Sequence, residues 1–411
     1  MANFIPLSIK PNSHSHAEEA ILKMIKHQGR ITFADFMKIA LYDHVDGYYN
    51  NGSPIGSRGD YFTSPTVHPG FGGLLARQIK RMWMLLGQPK HFYIIEIGSG
   101  NGRLAIDITN HIANLDQDLY AATKYVTIDR SQQSYLNNDK IQQILCDTLP
   151  LSNIVGCVLS NELVDAFPVH LFEIGNQGIQ EIYVTHKNGD FSEELDKPSN
   201  PQLLSKINMS NLDPKNIHRG EINLAVIPWL KELSTIIKSG FILTIDYGYL
   251  ENELQSSNRH NGTLQTYYKH SQGTNPYQQI GLQDITSHVN FSSIIRESIS
   301  FGIDTIGLMS QGKYLKHLGI SMWIEYFRKS KLKQPDIQAN VMALRQLMDP
   351  SGLGNFKVLI QAKGIKDFDI KDLLKGIRAS NSEAPPILNQ NHIPIMASKY
   401  PHNTWVPDYF K

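Results

Sequence analysis

The stretch that most narrows what this chain can become is residues 92–102, Phe-Tyr-Ile-Ile-Glu-Ile-Gly-Ser-Gly-Asn-Gly. Tyr93, Ile94, Ile95 and Ile97 make the short apolar, partly β-branched run of a strand buried on both faces. Glycines follow at 98, 100 and 102, and then Leu104, Ile108 and Ile112 repeat four apart, as on a helix. A strand, a glycine turn and a helix N-terminus bring bare backbone and unpaired N–H groups up to a ligand. The spacing is Gly-x-Gly-x-Gly and not the Gly-x-Gly-x-x-Gly of a dinucleotide pyrophosphate site, which disfavours a nicotinamide-dependent oxidoreductase. Glu96, just before the turn, would repel phosphate and suits a ligand that carries amino and sulfonium groups. The plain alternative is an ordinary glycine turn in an α/β protein.

Composition removes several classes. A chain of 411 residues is long enough for one large α/β domain with insertions, or for two domains. Hydrophobic residues at 41% and charged residues at 19% describe a soluble globular protein, and a net charge of +1 gives no bulk attraction for nucleic acid or a membrane surface. No apolar run approaches a membrane span, so no membrane insertion is expected. Cys146 and Cys157 lack metal-ligand or Cys-x-x-Cys spacing and lie in apolar stretches, so both are expected as buried thiols of a reducing compartment. Residues 1–10 lack the features of a secretory signal, and Glu18 and Glu19 precede the first arginine, Arg30, unlike a transit peptide. The expected location is the cytoplasm of a bacterial-type cell. No histidine pair has zinc spacing on a helix, and no metal is expected.

In chain order, 1–90 reads as N-terminal helices (17–28 and 32–42) and a Gly/Tyr-rich lid loop, closed by a helix near 71–86. Thr32 with Asp35 resembles a capping box. Residues 91–170 read as the first half of a core, with strands at 124–128, 141–146 and 154–159. These strands end in Asp129, in Asp147, and in the run Ser160, Asn161, Glu162, Leu163, Val164, Asp165. Polar residues at the carboxyl ends of buried parallel strands face the crevice where such sheets bind ligands. A β-hairpin turning at Asn188 and Gly189, then a polar loop, account for 171–220. A helix from Val226 ending at Gly240 and a strand over 241–245 fill 221–248. Residues 249–350 read as a loop and helical insertion, with a helix near 291–298, a strand near 303–309 and two helices between about 312 and 348. The last core strand, 356–362, lies within 351–364, and 365–411 is a tail with five prolines from Pro385 to Pro407.

Several segments share one family pattern: Ile31-Thr-Phe-Ala-Asp-Phe-Met with Gly47-Tyr-Tyr, Gly59-Asp-Tyr-Phe-Thr-Ser-Pro, and Glu96-Ile-Gly-Ser-Gly-Asn-Gly. Asn161-Glu-Leu-Val-Asp-Ala-Phe-Pro-Val, Ile245-Asp-Tyr-Gly, Gly262-Thr-Leu, Asp284-Ile-Thr-Ser-His-Val and Phe356-Lys-Val-Leu extend it. Over most of residues 20–364 the sequence resembles the MidA-type methyltransferases, class I enzymes that use S-adenosylmethionine (SAM). The resemblance implies an α/β fold with a Rossmann-like seven-stranded sheet, a helical N-terminal region and insertions over the carboxyl edge. It implies SAM as cofactor and a protein substrate, which in the mitochondrial members is an arginine of a core subunit of respiratory complex I. The chain departs from the family pattern at Thr66, Gly73 and Asn290 and in the tail. A homodimer is compatible with the sequence.

Glu96, Gly98, Gly100, Gly102, Asp129 and Asp147 are the candidate cofactor residues, with Asp60 and Thr63 from a lid at 59–65. Asp129 as a helix cap or surface acid, and Asp60 and Thr63 as loop-shaping residues, are the alternatives. Methyl transfer to arginine requires carboxylates that hold the charged guanidinium and localise its charge, because that group has no free lone pair. Glu162 and Asp165 are the candidates, with a helix-capping role as the alternative; Asn161 is placed at the reacting nitrogen or the methionine part of SAM. His288 reads as a base, a partner contact or, preferentially, a hydrogen-bonded structural histidine, and Tyr247 as an acceptor-channel or packing residue. Methylation of another nitrogen or of a small molecule, and a non-catalytic assembly chaperone, are the rival functions.

Overall fold

The computed structural model describes residues 15–50, 63–131, 136–175, 177–210, 218–254, 256, 259–269, 271–365, 373 and 383–392. Its centre is a seven-stranded sheet in the order Asp304–Ser310, Lys357–Lys363, Ile237–Asp246, Ile154–Asn161, Phe92–Ile97, Thr123–Asp129, Ile141–Leu145. Lys357–Lys363 runs antiparallel to both of its neighbours, and the pairs from Ile237–Asp246 to Ile141–Leu145 are parallel. From Phe92–Ile97 the chain winds outward through two strands, then returns to pair Ile154–Asn161 on the other side of its starting strand. The sheet's order reverses between these two strands, and their carboxyl ends open the ligand crevice of such folds.

The two faces of Phe92–Ile97 sort by alternation. Phe92 and Ile94 join a core with Phe71, Leu74 and Ile79 of the helix Gly70–Leu85, while Tyr93 and Ile95 meet Trp229, Leu230 and Phe291 on the opposite face. Gly73, a departure from the family pattern, sits where a Cβ would press on the Trp323 ring and on His111. Asn290, another departure, caps the helix Phe291–Ser298 by accepting from the N–H of Ser293 at 3.0 Å, as an aspartate would.

Several expectations need correction. The hairpin at 171–220 is a larger unit: His170–Gly175, Gly178–Lys187 and Asp190–Asp196 form a meander. Ile31–Thr32 and Arg219–Ile222 complete a separate five-stranded sheet. The helices His16–Gln28 and Phe33–Tyr42 cover it through Ile21, Phe33 and Phe36. The supposed loop after it contains a helix, Pro201–Met209, capped by Asn200. Gly240 does not end a helix. The helix Val226–Ile236 stops earlier, and Gly240 lies in the next strand, where a Cβ would overlap the carbonyl oxygen of Gly156. Three helices, Gln311–His317, Ile320–Lys329 and Gln334–Gln346, replace the expected two, because Gly319 breaks the run with φ +96°. Cys157 is buried as expected, but Cys146 is part-exposed and borders the crevice. Part of the tail is integral: Glu383 accepts from Arg77 Nε and pairs with His111, His392 pairs with Asp107, and Leu373 and Leu388 are buried. Among the described residues, no helix is long and apolar enough to cross a membrane.

Candidate active site

A cavity of about 320 Å³ lies over the carboxyl ends of Phe92–Ile97 and Ile154–Asn161. On one side is the glycine turn. Gly98, Gly100 and Gly102 have φ of +70°, +52° and +69°, and a Cβ at Gly98 would press on Leu163. Side chains are disfavoured there, so backbone faces the cavity. Glu96 sits beneath the turn, 3% exposed, and its Oε2 accepts from the Tyr125 hydroxyl at 2.7 Å. Burial pushes its carboxyl up to about 8, and the nearby charges of Asp129 and Asp107 add to the effect. Asp129 Oδ2 accepts from the N–H of Gly100 at 2.9 Å and its Oδ1 from that of Arg130 at 2.7 Å. Burial raises Asp129 as well, against the pull of these donors.

Asp147 stands at the exposed rim, 3.3 Å from Arg130 Nε, and the Arg130 guanidinium lies over the Tyr42 ring. Thr63 borders the cavity and shares a capping box with Thr66 at the helix Ser64–Val67. That gives Thr66, the third departure from the family pattern, a structural duty. Asp60 lies outside the described residues.

On the other side are the carboxylates. Asn161 and Glu162 border the cavity, and Asn161 Nδ2 donates to Glu162 Oε1 at 2.8 Å. Glu162 adopts φ +53°, a left-handed conformation uncommon for any residue but glycine, and its N–H donates to the Ile245 carbonyl at 2.9 Å. Desolvation first, then the charge of Asp165, pushes its carboxyl to about 8, although Asn161 and the backbone N–H of Ser64 donate to it.

Asp165 does not line the cavity. It is buried behind Glu162, where its carboxyl takes a hydrogen bond from the Tyr247 hydroxyl. Asp246 Oδ2 accepts from the N–H groups of Leu163, Val164 and Asp165 at 3.2, 2.9 and 3.3 Å. Burial raises both Asp165 and Asp246 above the ordinary carboxylate range, and the charge of Asp165 adds to the effect on Asp246. The residue that shapes this loop is therefore Asp246, whose role the sequence left open. An acid ending a buried strand was the visible signal.

Glu162 caps no helix: its segment between Asn161 and Phe167 is irregular, and the residue lines the cavity. Tyr247 packs outside the cavity, edge-on to His288 and tilted against Phe356. His288 is also outside it, pushed down to about 4 by burial, with its Nδ1 unpaired among the described residues. Tyr42, Tyr49, Phe167 and Trp229 complete the walls, and sequence reading assigned none of them to a ligand. Tyr42 stacks on Tyr49, and Trp229 belongs to a helix recognised only by its apolar spacing.

A SAM-like ligand fits these walls. The turn offers backbone, Asp129 an acceptor, and two buried polar atoms lack a partner among the described residues: the acceptor Asn161 Oδ1 and the donor Trp229 Nε1. Such orphans are costly unless a ligand satisfies them.

Comparisons with known proteins agree. Residues 74–309, more than half of the chain, match a family described as putative S-adenosyl-L-methionine-dependent methyltransferases. Proteins named protein arginine methyltransferase NDUFAF7, mitochondrial, are similar. The rat protein is 26% identical over 376 residues, covering 81% of each chain, and the zebrafish protein is 25% identical over 401 residues, covering 85% of this chain and 89% of its own. A crystal structure from Burkholderia thailandensis bound to S-adenosyl-homocysteine superposes with a TM-score of 0.76 at 25% identity, over 90% of this chain and 99% of that one.

Proposed function

Since this chain belongs to the SAM-dependent methyltransferase family, we propose that its acceptor is an arginine side chain of a protein. SAM, when bound, supplies a methyl carbon activated by the adjoining sulfonium. The chain's own task is to align the acceptor nitrogen with that carbon and to exclude water.

The observation that carries the arginine reading is the uncompensated carboxylate cluster. Glu162, Asp165 and Asp246 lie together, and among the described residues no ion pair reaches any of them. An acid held protonated by burial and like charge ionises once a cation arrives beside it. A guanidinium is such a cation, and its planar fork matches a carboxylate. Glu162 faces the cavity and takes the contact; Asp165 and Asp246 lie behind it. Tyr42 and Tyr49 give the aliphatic stem an aromatic wall. Glu96, Gly98, Gly100, Gly102, Asp129 and Asn161 hold SAM, with Thr63 and Asp147 at its rim. The printed names of the mitochondrial relatives support protein arginine as the acceptor class. The family resemblance extends this to a core subunit of a complex I-type enzyme.

Incubating the purified protein with methyl-labelled SAM and a lysate lacking the gene, then running gels and mass spectrometry, tests the reading. One labelled band bearing methylarginine is the expected result. Label confined to small molecules, or to another residue type, overturns it.

A further inference from the structure

Away from the cavity, three donor groups converge where the first helix meets the end of the second. His16 Nδ1 lies 2.8 Å from Asp43 Oδ1, and His44 Nδ1 lies 3.7 Å from Asp43 Oδ2. All the donor atoms fall within 4.8 Å of one another, and the two imidazole rings meet edge to face with centroids 5.0 Å apart. A tetrahedral zinc with bonds of about 2.0–2.1 Å sets its ligand atoms roughly 3.3 Å apart, so each imidazole would shift by about half an ångström from its present distance to its own Asp43 oxygen.

The scaffold under the trio is already tied. Asp43 Oδ1 accepts from the N–H groups of Val45 and Asp46 at 3.0 and 3.3 Å, which fixes the carboxylate on its turn. Asp46 in turn accepts from the N–H groups of His16 and Ala17 at 2.7 and 2.8 Å, which fixes the helix carrying His16 against the same turn. These backbone bonds hold the halves of the site in register, beside the 2.8 Å hydrogen bond between His16 Nδ1 and Asp43 Oδ1. The exposed His44 ring lies furthest from the carboxylate, at 3.7 Å.

We infer that His16, Asp43 and His44 form a site for a divalent transition cation of the zinc class, with water completing the coordination. Two imidazoles and one carboxylate are a donor set suited to zinc, and not to magnesium or calcium. The site pins the turn at 43–46. That turn leads directly into Tyr48, which is buried, and Tyr49, which borders the cavity and whose hydroxyl donates to Asp284 at 3.0 Å. A cation here would therefore brace one wall of the crevice from outside. The inference does not depend on what the crevice methylates.

Cobalt(II) titration of the metal-stripped full chain, followed in the visible region, tests it, with zinc stoichiometry from equilibrium dialysis alongside. The expected result is one cation per chain with the strong absorption of a four-coordinate cobalt. His44→Ala, at an exposed ring, should abolish that band and weaken zinc at least tenfold. His16→Ala should do the same, and His27→Ala should leave both unchanged. Binding that survives His44→Ala with the same spectrum, or no stoichiometric binding to the unaltered chain, overturns the site.

Discussion

Two groups of buried or half-buried carboxylates in this molecule differ in one respect. At the tail, Glu383 accepts from Arg77 Nε and pairs with His111, each at 2.8 Å, and Asp107 pairs with His392 at 2.8 Å. At the crevice, Glu162, Asp165 and Asp246 have hydrogen-bond donors but no cation among the described residues. The environment pushes Glu383 and Glu162 in opposite directions: Glu383 is lowered by His111 and Arg77 in spite of its partial burial, whereas Glu162 is raised to about 8. A paired buried acid completes a fold. An unpaired one is a standing cost that a cationic ligand can relieve, and such groups collect at functional sites.

The largest expected effect tests the paired group. Arg77 is almost fully buried, stacked over Trp323, with Glu383 as its carboxylate partner. Glu383→Ala would strand that guanidinium, and stranding one partner of a buried pair costs about 3 kcal/mol or more. Chemical denaturation should show this loss, with SAM affinity little altered in the protein that remains folded. A cost below about 1 kcal/mol would mean that the tail is ornamental and the contrast false.

Glu162→Gln tests the unpaired group. It removes the charge and keeps the shape, so stability should hold or rise while methyl transfer falls by at least roughly 100-fold, about 2.7 kcal/mol. S-adenosyl-homocysteine affinity, measured by calorimetry, should change less than about threefold. Retained transfer would detach Glu162 from the acceptor. Asp129→Asn reads the cofactor end, where an amide can no longer accept equally from Gly100 and a ligand. An affinity loss of about tenfold, about 1.4 kcal/mol, is expected there, and an unchanged calorimetric constant would remove Asp129 from the ligand.

These regions were not equally legible in the sequence. The glycine side of the crevice is local: a strand, an acid and three glycines fall within one short stretch, and the structure keeps them together. The carboxylate side is not. Asp165 reads as Glu162's equal because they are three apart, yet the left-handed turn at Glu162 sends one side chain to the cavity and the other into the interior. Asp246, 81 residues beyond Asp165, supplies the acceptor for that loop through strand pairing that no spacing reveals. The paired group was hidden for the same reason: Glu383 and His392 lie in a segment whose prolines and polar residues suggested a loose tail, while their partners are 272 to 306 residues away. Propensity located the helices and strands well, but it missed Pro201–Met209, where a polar composition concealed the Asn200 cap and the buried Leu203 and Ile207.

The smallest expected effect separates the two groups by proton linkage. Glu96 and Glu162 have folded values near 8, above their unfolded value of about 4.5, so each contributes stability that is complete at low pH and is lost as pH rises through about 8. Glu383, lowered on folding, contributes stability that is present above its unfolded value and is lost only in acid. Between pH 5.5 and 8.5 the contribution of Glu383 therefore stays level while those of Glu96 and Glu162 decline. The melting temperature of the ligand-free protein should fall by a few degrees over that interval. Glu162→Gln should flatten part of the slope, because a glutamine has no proton to lose. Saturating a chain that binds guanidinium should flatten it too, since the cation holds Glu162 ionised without penalty. A melting temperature that rises over this range, or a slope untouched by Glu162→Gln, would show that the crevice acids are compensated in solution and that the contrast with the tail does not hold.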